Sequence, residues 1–308
     1  EVAGDAEANC SKKPRVDPGI EMSGAGSVLS EFLTTSAGVQ MPRMIYGTAW
    51  KKERTEELVK LAVSTGFRGV DTAGQPKHYF EAGVGAALRS LLAAGHDRRG
   101  LFIQTKVNKN YAEELNPDAP IGKQVDLAIA NSLSNLGLEY VDSLVLHSPY
   151  KTHEDTMEAW RAMERSVHSG HVRQLGVSNV KSLRQLRDIH RDATLKPAVV
   201  QQRFYAETGF EREMREWCAG AGLHFQSFWT LTANSKKGRP GRDAVVSGTM
   251  RGLATKYAVT PQVLFFSYVM RLGVVPLTGT CNETHMKEDL VSRHVPLTEE
   301  DAKKIGEL

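Results

Sequence analysis

The sequence predicts an α/β protein: a closed (β/α)8 TIM barrel with an N-terminal hairpin and an extra helix between strands 7 and 8. Three observations predict it. Eight short β-rich runs alternate with longer amphipathic ones, and strict alternation calls for a parallel sheet. The short runs are near-continuously apolar, as strands covered on both faces must be. A residue suited to a site closes each run, mostly at a spacing of one β/α unit. The length of 308 residues agrees, since barrels of about 250 residues fold as one unit. The predicted division is a mobile N-terminal arm over 1–26 and a single barrel domain over 27–308.

Residues 1–26 are rich in Gly, Ala, Ser and charge and carry no helical period. They read as an arm or the remnant of a transit segment, with the start of the chain, Glu1 rather than Met, trimmed. SVLSEFLTTSAGVQMP then reads as a hairpin around Ser36-Ala37-Gly38 that plugs the barrel bottom. The strand-like runs follow at 44–49, 68–73, 101–107, 142–148, 172–179, 198–204, 224–230 and 274–280. Between them, stretches such as ERTEELVKLAVSTG and IGKQVDLAIANSLSNLG place apolar residues at i, i+3, i+4 and stop at Gly, as helices do. Two helical patterns, VVSGTMRGLATKYA and PQVLFFSYVMRLG, stand where one is expected. Residues 108–120 and the basic stretch 231–243 break the rhythm as loops. A doubly wound sheet would want a Gly-rich turn directly after a strand. Gly83-Val84-Gly85 lies inside a helical pattern instead, which suits close helix packing.

The net charge is +3 with both signs interspersed, which is no nucleic-acid signature. Cys10, Cys218 and Cys281 are far apart, with no disulfide framework. No apolar run is long enough to span a membrane. The expectation is a cytoplasmic monomer, or an organellar one if the arm is a transit remnant.

Active sites of such barrels gather where the strands end. The residues there are Thr48, Asp71, Lys106, His147, Ser178 with Asn179, Gln201, the aromatic Phe228, and Thr280. Singly, the Asp reads as a helix cap, the Lys as snorkelling and the His as a satisfied hydrogen-bond partner. An acid, a lysine and a histidine on three consecutive apolar strands are costly unless they pair. A metal site wants more ligands than Asp71 and His147, so none is expected.

VQMPRMIYGTAW, FRGVDTA followed by HYFEAGVG, LFIQTKV, YVDSLVLHSP, SGHVRQLGVSN, KPAVVQQRFY and VVPLTGTCNETHMKEDL together resemble the aldo-keto reductase superfamily over about residues 34–292. The resemblance implies a barrel that reduces aldehydes and ketones with NADPH, without metal and without a Rossmann turn. It puts the family's catalytic tetrad on Asp71, Tyr79, Lys106 and His147. In those roles a lysine cation lowers the pKa of a tyrosine from about 10, the aspartate holds the lysine, and the histidine orients the carbonyl.

One departure concerns the tyrosine. In the common motif it follows the aspartate by five residues and precedes the glutamate by three. Here those positions hold Pro76 and His78, while Tyr79 comes eight after Asp71 and two before Glu81. Either Tyr79 reaches the pocket through a re-shaped loop, the favoured reading, or His78 fills the place. By the same resemblance Phe228 stacks on nicotinamide, while Ser178, Asn179 and Gln201 hold its carboxamide, Gln202 being the rival of Gln201.

At the phosphate end the expected Lys and Arg are replaced by Gly279 and His285, leaving Thr280 and His285 toward a 2′-phosphate and Asp289 toward adenine or ribose. NADPH is expected, and NADH stays open. Lys236, Lys237, Arg239 and Arg242 either close over the pyrophosphate or form a solvated loop. Trp50, Tyr150, Trp229, His147 and the 108–120 loop are the expected substrate contacts, suited to an apolar aldehyde or ketone. A barrel that binds cofactor with little turnover, in a regulatory or structural role, and a lyase using Lys106 as a Schiff-base amine are the alternatives.

Overall fold

The structure, a computed structural model, describes Gly26, residues 28–237 and residues 243–308. The expected arm, apart from Gly26, lies outside the described residues, as do Cys10, Arg239 and Arg242. Strands β1 (Phe32–Thr34) and β2 (Gln40–Pro42) form an antiparallel hairpin whose turn holds Gly38 at φ 76°. Eight parallel strands follow: β3 (Ile45–Gly47), β4 (Gly69–Asp71), β5 (Phe102–Val107), β6 (Ser143–Leu146), β7 (Leu175–Ser178), β8 (Val199–Arg203), β9 (His224–Phe228) and β10 (Val274–Thr278). Each pairs with the next, and β10 pairs with β3, so the ring closes. All eight lie within the runs read from the sequence.

Helices α1 (Thr55–Thr65), α2 (Glu81–Ala93), α4 (Ile121–Leu136), α5 (His153–His168), α6 (Leu183–Asp192) and α7 (Arg212–Gly220) connect strands in order. Side chains cap several of them, such as Thr152 on α5 and Ser182 on α6, satisfying amides left free in the first turn. Helices α8 (Gly248–Lys256) and α9 (Pro261–Arg271) lie between β9 and β10, giving the expected extra helix. Two features differ from the sequence reading. The 108–120 stretch is not all loop: it holds α3 (Lys109–Leu115), started by Asn108, whose side chain accepts from Tyr111 N. Two further helices, α10 (Glu283–Val291) and α11 (Glu299–Gly306), follow β10.

Gly85 is a packing residue, as its helical surroundings suggested. A Cβ there would lie 2.2 Å from Asn135 O and 2.9 Å from Leu136 O, so α2 and the end of α4 approach backbone to backbone.

Inside the ring, alternate residues of each strand stack in layers. The lower layer is apolar, with Ile45, Phe102, Val145, Val199 and Val275 joined by Met41 of the hairpin. Met41 is fully buried and meets Gln226 Nε2, so the hairpin packs against the bottom of the barrel. Gly176 keeps this layer closed: a Cβ there would meet Val199 Cγ2 at 2.3 Å. The next layer is polar: Gln104 and Gln201 lie two positions beyond Phe102 and Val199, and Asp71 and Gln226 bond with them. Among the described residues no helix is long and apolar enough to cross a membrane.

Candidate active site

The polar layer sets the site's chemistry. Lys106 stands two residues beyond Gln104 on β5 and is 1% exposed. Its Nζ donates to Asp71 Oδ2 at 2.5 Å and to Thr72 O at 2.8 Å. Asp71 Oδ1 accepts from Gln104 Nε2 at 2.8 Å and from Gln201 Nε2 at 3.2 Å. The two glutamines close on Gln226 Oε1 at 2.8 and 2.9 Å. A buried pair survives in low dielectric only when its remaining lone pairs are satisfied in this way. Burial is the largest single influence on Lys106 and opposes its charge, yet Asp71 and Tyr79 outweigh it, so the ammonium persists above its ordinary pKa.

The 74–80 loop settles the placement of both aromatic neighbours. The amides of His78 and Tyr79 both donate to Gln75 O at 3.0 Å, a tight turn that sends the two rings different ways. The Tyr79 ring centroid lies 5.0 Å from Lys106 Nζ, close enough for the ammonium to act on the phenol through its charge. The His147 ring stands edge-on to it at 6.0 Å. His78 packs instead on Trp50, ring centroids 4.0 Å apart. Asp71, Tyr79, Lys106 and His147 are thus brought together, with His78 at the rim.

The net effect on the phenol differs from the sequence expectation. Burial pushes Tyr79 up, the Lys106 charge pulls it down, and the balance is upward. The phenol stays protonated as a donor, and the lysine limits how far burial weakens it as an acid.

His147 follows β6 and is pushed down to about 3, first by burial and then by the nearby Lys106 charge, so its ring is neutral. Its tautomer is set from outside. Asn108 Oδ1 is taken by the Tyr111 amide, so Asn108 Nδ2 faces His147 Nδ1 at 3.5 Å and leaves the ring proton on Nε2.

Asp71, His78, Tyr79 and His147 line a cleft of about 850 Å³ at the C-terminal end of the strands, with Lys106 buried behind them. Trp50, Asn179, Gln201, Phe228, Trp229, Thr280, His285 and Asp289 also line it. Gln201 is the inward residue, as Gln202 turns out to donate to Val180 O at 2.7 Å. Thr48 and Tyr150 are not brought to the lining. Thr48 is buried with its hydroxyl donating to Asp71 O at 3.0 Å. Tyr150 packs against the core near Lys109, and burial raises its phenol to about 12. Asp289 accepts from Thr278 Oγ1 at 2.7 Å and is raised by burial to about 6.

The donor set fits a nicotinamide. Both N–H groups of Gln201 go to Asp71 and Gln226, and those of Asn179 go to His147 O and Ser178 Oγ. The amide oxygens of Gln201 and Asn179 are left as acceptors, two for the two N–H groups of a primary carboxamide, and Phe228 lines the same cleft.

Sequence reasoning missed several residues. Gln104 and Gln226 complete the polar layer. A Gln two residues before Lys106 in an apolar strand was the available signal. Lys51 lines the phosphate end, donating to Gly279 O and lying 3.4 Å from Cys281 Sγ. Asn108, read as a loop residue, sets the histidine tautomer.

Comparison with known proteins bears on the family and the fold. The chain matches the Aldo/keto reductase family over residues 43–308. It is 28% identical over 282 residues to the glyoxal reductase of Bacillus subtilis, covering 91% of this chain and 93% of that protein. It is 29% identical over 290 residues to the NAD/NADP-dependent indole-3-acetaldehyde reductase of Schizosaccharomyces pombe, covering 90% and 95%. An aldo/keto reductase from Brucella melitensis superposes with a TM-score of 0.76 at 22% identity, over 91% of this chain and 99% of that one, a likeness of fold. Barrel, cleft and sequence lead to one conclusion: this chain belongs to the aldo/keto reductase family, and with it to the NAD(P)H-dependent reductases of carbonyl compounds.

Proposed function

We propose that the protein reduces the carbonyl of a small aldehyde or ketone to an alcohol, with Tyr79 as the proton donor. The observation that carries this is the buried Lys106–Asp71 pair at 2.5 Å set beneath the Tyr79 ring, with neutral His147 alongside. Bound NADPH, or NADH, supplies the hydride. Tyr79 gives its hydroxyl proton to the oxygen that becomes the alcohol. Lys106 stabilises the phenolate left behind, worth about 1.4 kcal/mol for each pKa unit. Nε2–H of His147 donates to the carbonyl oxygen and orients it. Asp71 and the glutamines hold the lysine in place. The acceptor oxygens of Gln201 and Asn179 would hold the carboxamide of the bound cofactor, with Phe228 as a stacking face.

The resemblance favours NADPH, and so do relatives such as the NADPH-dependent codeinone reductase 1-2 of Papaver somniferum. The chain's own cleft offers Thr280 and His285 toward a 2′-phosphate, next to the carboxyl groups of Glu288 and Asp289. Among the described residues no guanidinium lines that end, which brings NADH within reach as a second donor. Trp50 and Trp229, 60% and 48% exposed at the mouth, give an aromatic-walled entrance suited to aromatic or branched carbonyl compounds.

The test compares Tyr79→Phe with His78→Ala, following cofactor oxidation with 4-nitrobenzaldehyde. Loss of the proton donor should lower kcat by about 10²–10⁴-fold, while His78→Ala stays within tenfold of wild type. The reverse ranking assigns the acid to His78. Cofactor binding without turnover in the wild-type protein favours the regulatory barrel.

A further inference from the structure

Arg203 ends β8, two residues beyond Gln201 on the same inward face and one pleat nearer the mouth. Its surroundings are aromatic. The guanidinium carbon lies 4.2 Å from the Trp229 ring centroid, 5.3 Å from Tyr205 and 6.0 Å from Phe228. Its Nε is buried and meets no acceptor, and no carboxylate pairs with it among the described residues. Stacking uses the faces of a guanidinium and leaves its donors at the edge, where the buried Nε–H is unmet. An unmet buried donor costs about 1–3 kcal/mol, which a methionine stacked in the same place would avoid. The arrangement therefore makes sense with an acceptor arriving from the cleft. A planar guanidinium pre-set on an aromatic wall meets a carboxylate or phosphate with two parallel bonds.

We propose that Arg203 is an oxyanion-binding residue of this cleft. The oxyanion has two sources, a carboxylate on the carbonyl substrate or a phosphate of the dinucleotide. The proposal rests on the reading of the cleft as the reductase site, and its tests separate the two.

The first measurement needs no turnover. Sodium pyrophosphate and benzoate are titrated into wild-type protein while intrinsic tryptophan fluorescence is followed. At least one should give a saturable change that is lost in both Arg203→Gln and Trp229→Phe. The second measures the Kd of NADPH and NADH for wild type, Arg203→Gln and Arg203→Lys. The third measures kcat/KM for 4-carboxybenzaldehyde relative to neutral 4-nitrobenzaldehyde. A tenfold or greater weakening of both dinucleotides in Arg203→Gln, with the aldehyde ratio unchanged, supports the proposal and assigns the phosphate. A tenfold or greater fall in the aldehyde ratio, with dinucleotide Kd unchanged, supports it and assigns the substrate carboxylate. Partial retention by Arg203→Lys is expected in either arm. Both quantities within twofold of wild type, in a variant with the wild-type circular dichroism spectrum, overturn it. If Arg203→Gln does not fold, the wild-type titrations decide, and no saturable response to either anion overturns it. Failure to reduce the neutral aldehyde strikes the reductase reading instead and leaves the anion titration standing.

Discussion

Asp71→Asn puts the largest load on the reasoning. Asp71 and Lys106 are 2% and 1% exposed, and their contact is 2.5 Å. The substitution keeps the size of the side chain and removes its charge. Lys106 is left with Thr72 O as an acceptor and an uncompensated buried ammonium. Breaking one side of such a pair costs about 3–5 kcal/mol. For a chain of this size that lowers Tm by roughly 6–15 °C. The pH dependence has a definite sign. In the native pair the lysine pKa is raised, so its stabilisation is full below the unfolded value near 10.4 and is lost as pH rises past the folded value. Without Asp71, burial is the main influence left and pulls the lysine below its unfolded value. The deficit of the variant is then greatest near neutrality and shrinks as the pH approaches 10. Urea unfolding at pH 7 and pH 9.5 measures both quantities. The double variant Asp71→Asn/Lys106→Met should recover most of the loss, since it leaves no lone charge. A single-variant cost under about 1 kcal/mol at pH 7, or a deficit that grows with pH, refutes the pair as the centre of the site.

Further outcomes follow from the same geometry. His147 titrates in the fold at about 3 against an ordinary value of 6.5, so the unfolded chain takes a proton that the fold refuses. Stability should therefore fall as pH drops from 6.5 toward 3, by up to about 1.4 kcal/mol per pH unit, and His147→Gln should remove that slope in urea unfolding. Gly85→Ala drives a methyl into the backbone of Asn135 at 2.2 Å. It should cost about 1–3 kcal/mol or more, with cofactor Kd unchanged in whatever fraction folds. Fluorescence titration should give NADPH and NADH Kd values within about tenfold of each other, and His285→Arg should favour NADPH by a further factor of about ten.

The barrel was legible because its strands are buried on both faces and its helices on one, and these conditions print different periods in the chain. The strand ends were legible for the same reason: Asp71, Lys106 and His147 interrupt apolar runs where only pairing makes them affordable. The 74–80 loop was not. Counting from Asp71 or from Glu81 gives different answers, and only the turn on Gln75 O decides which ring stands next to the ammonium. Thr48 looked like a cleft residue by position, but its hydroxyl is turned back onto the Asp71 carbonyl. Lys51 and Arg203 were missed because each reads as an ordinary surface cation. Their importance comes from neighbours distant in sequence, Gly279 for one and Trp229 for the other.

The hairpin beneath the ring has a kinetic consequence. With Met41 packed into the apolar layer at the lower end, the cleft of the described residues opens at the other end, and reactants come and go on that side. If the ring-stacking partner of Phe228 lies deeper than the compound being reduced, turnover is a queue: cofactor in, carbonyl in, alcohol out, spent cofactor out. Departure of the spent cofactor then closes each cycle, and sequence changes around the doorway would act on that step without touching the proton chemistry.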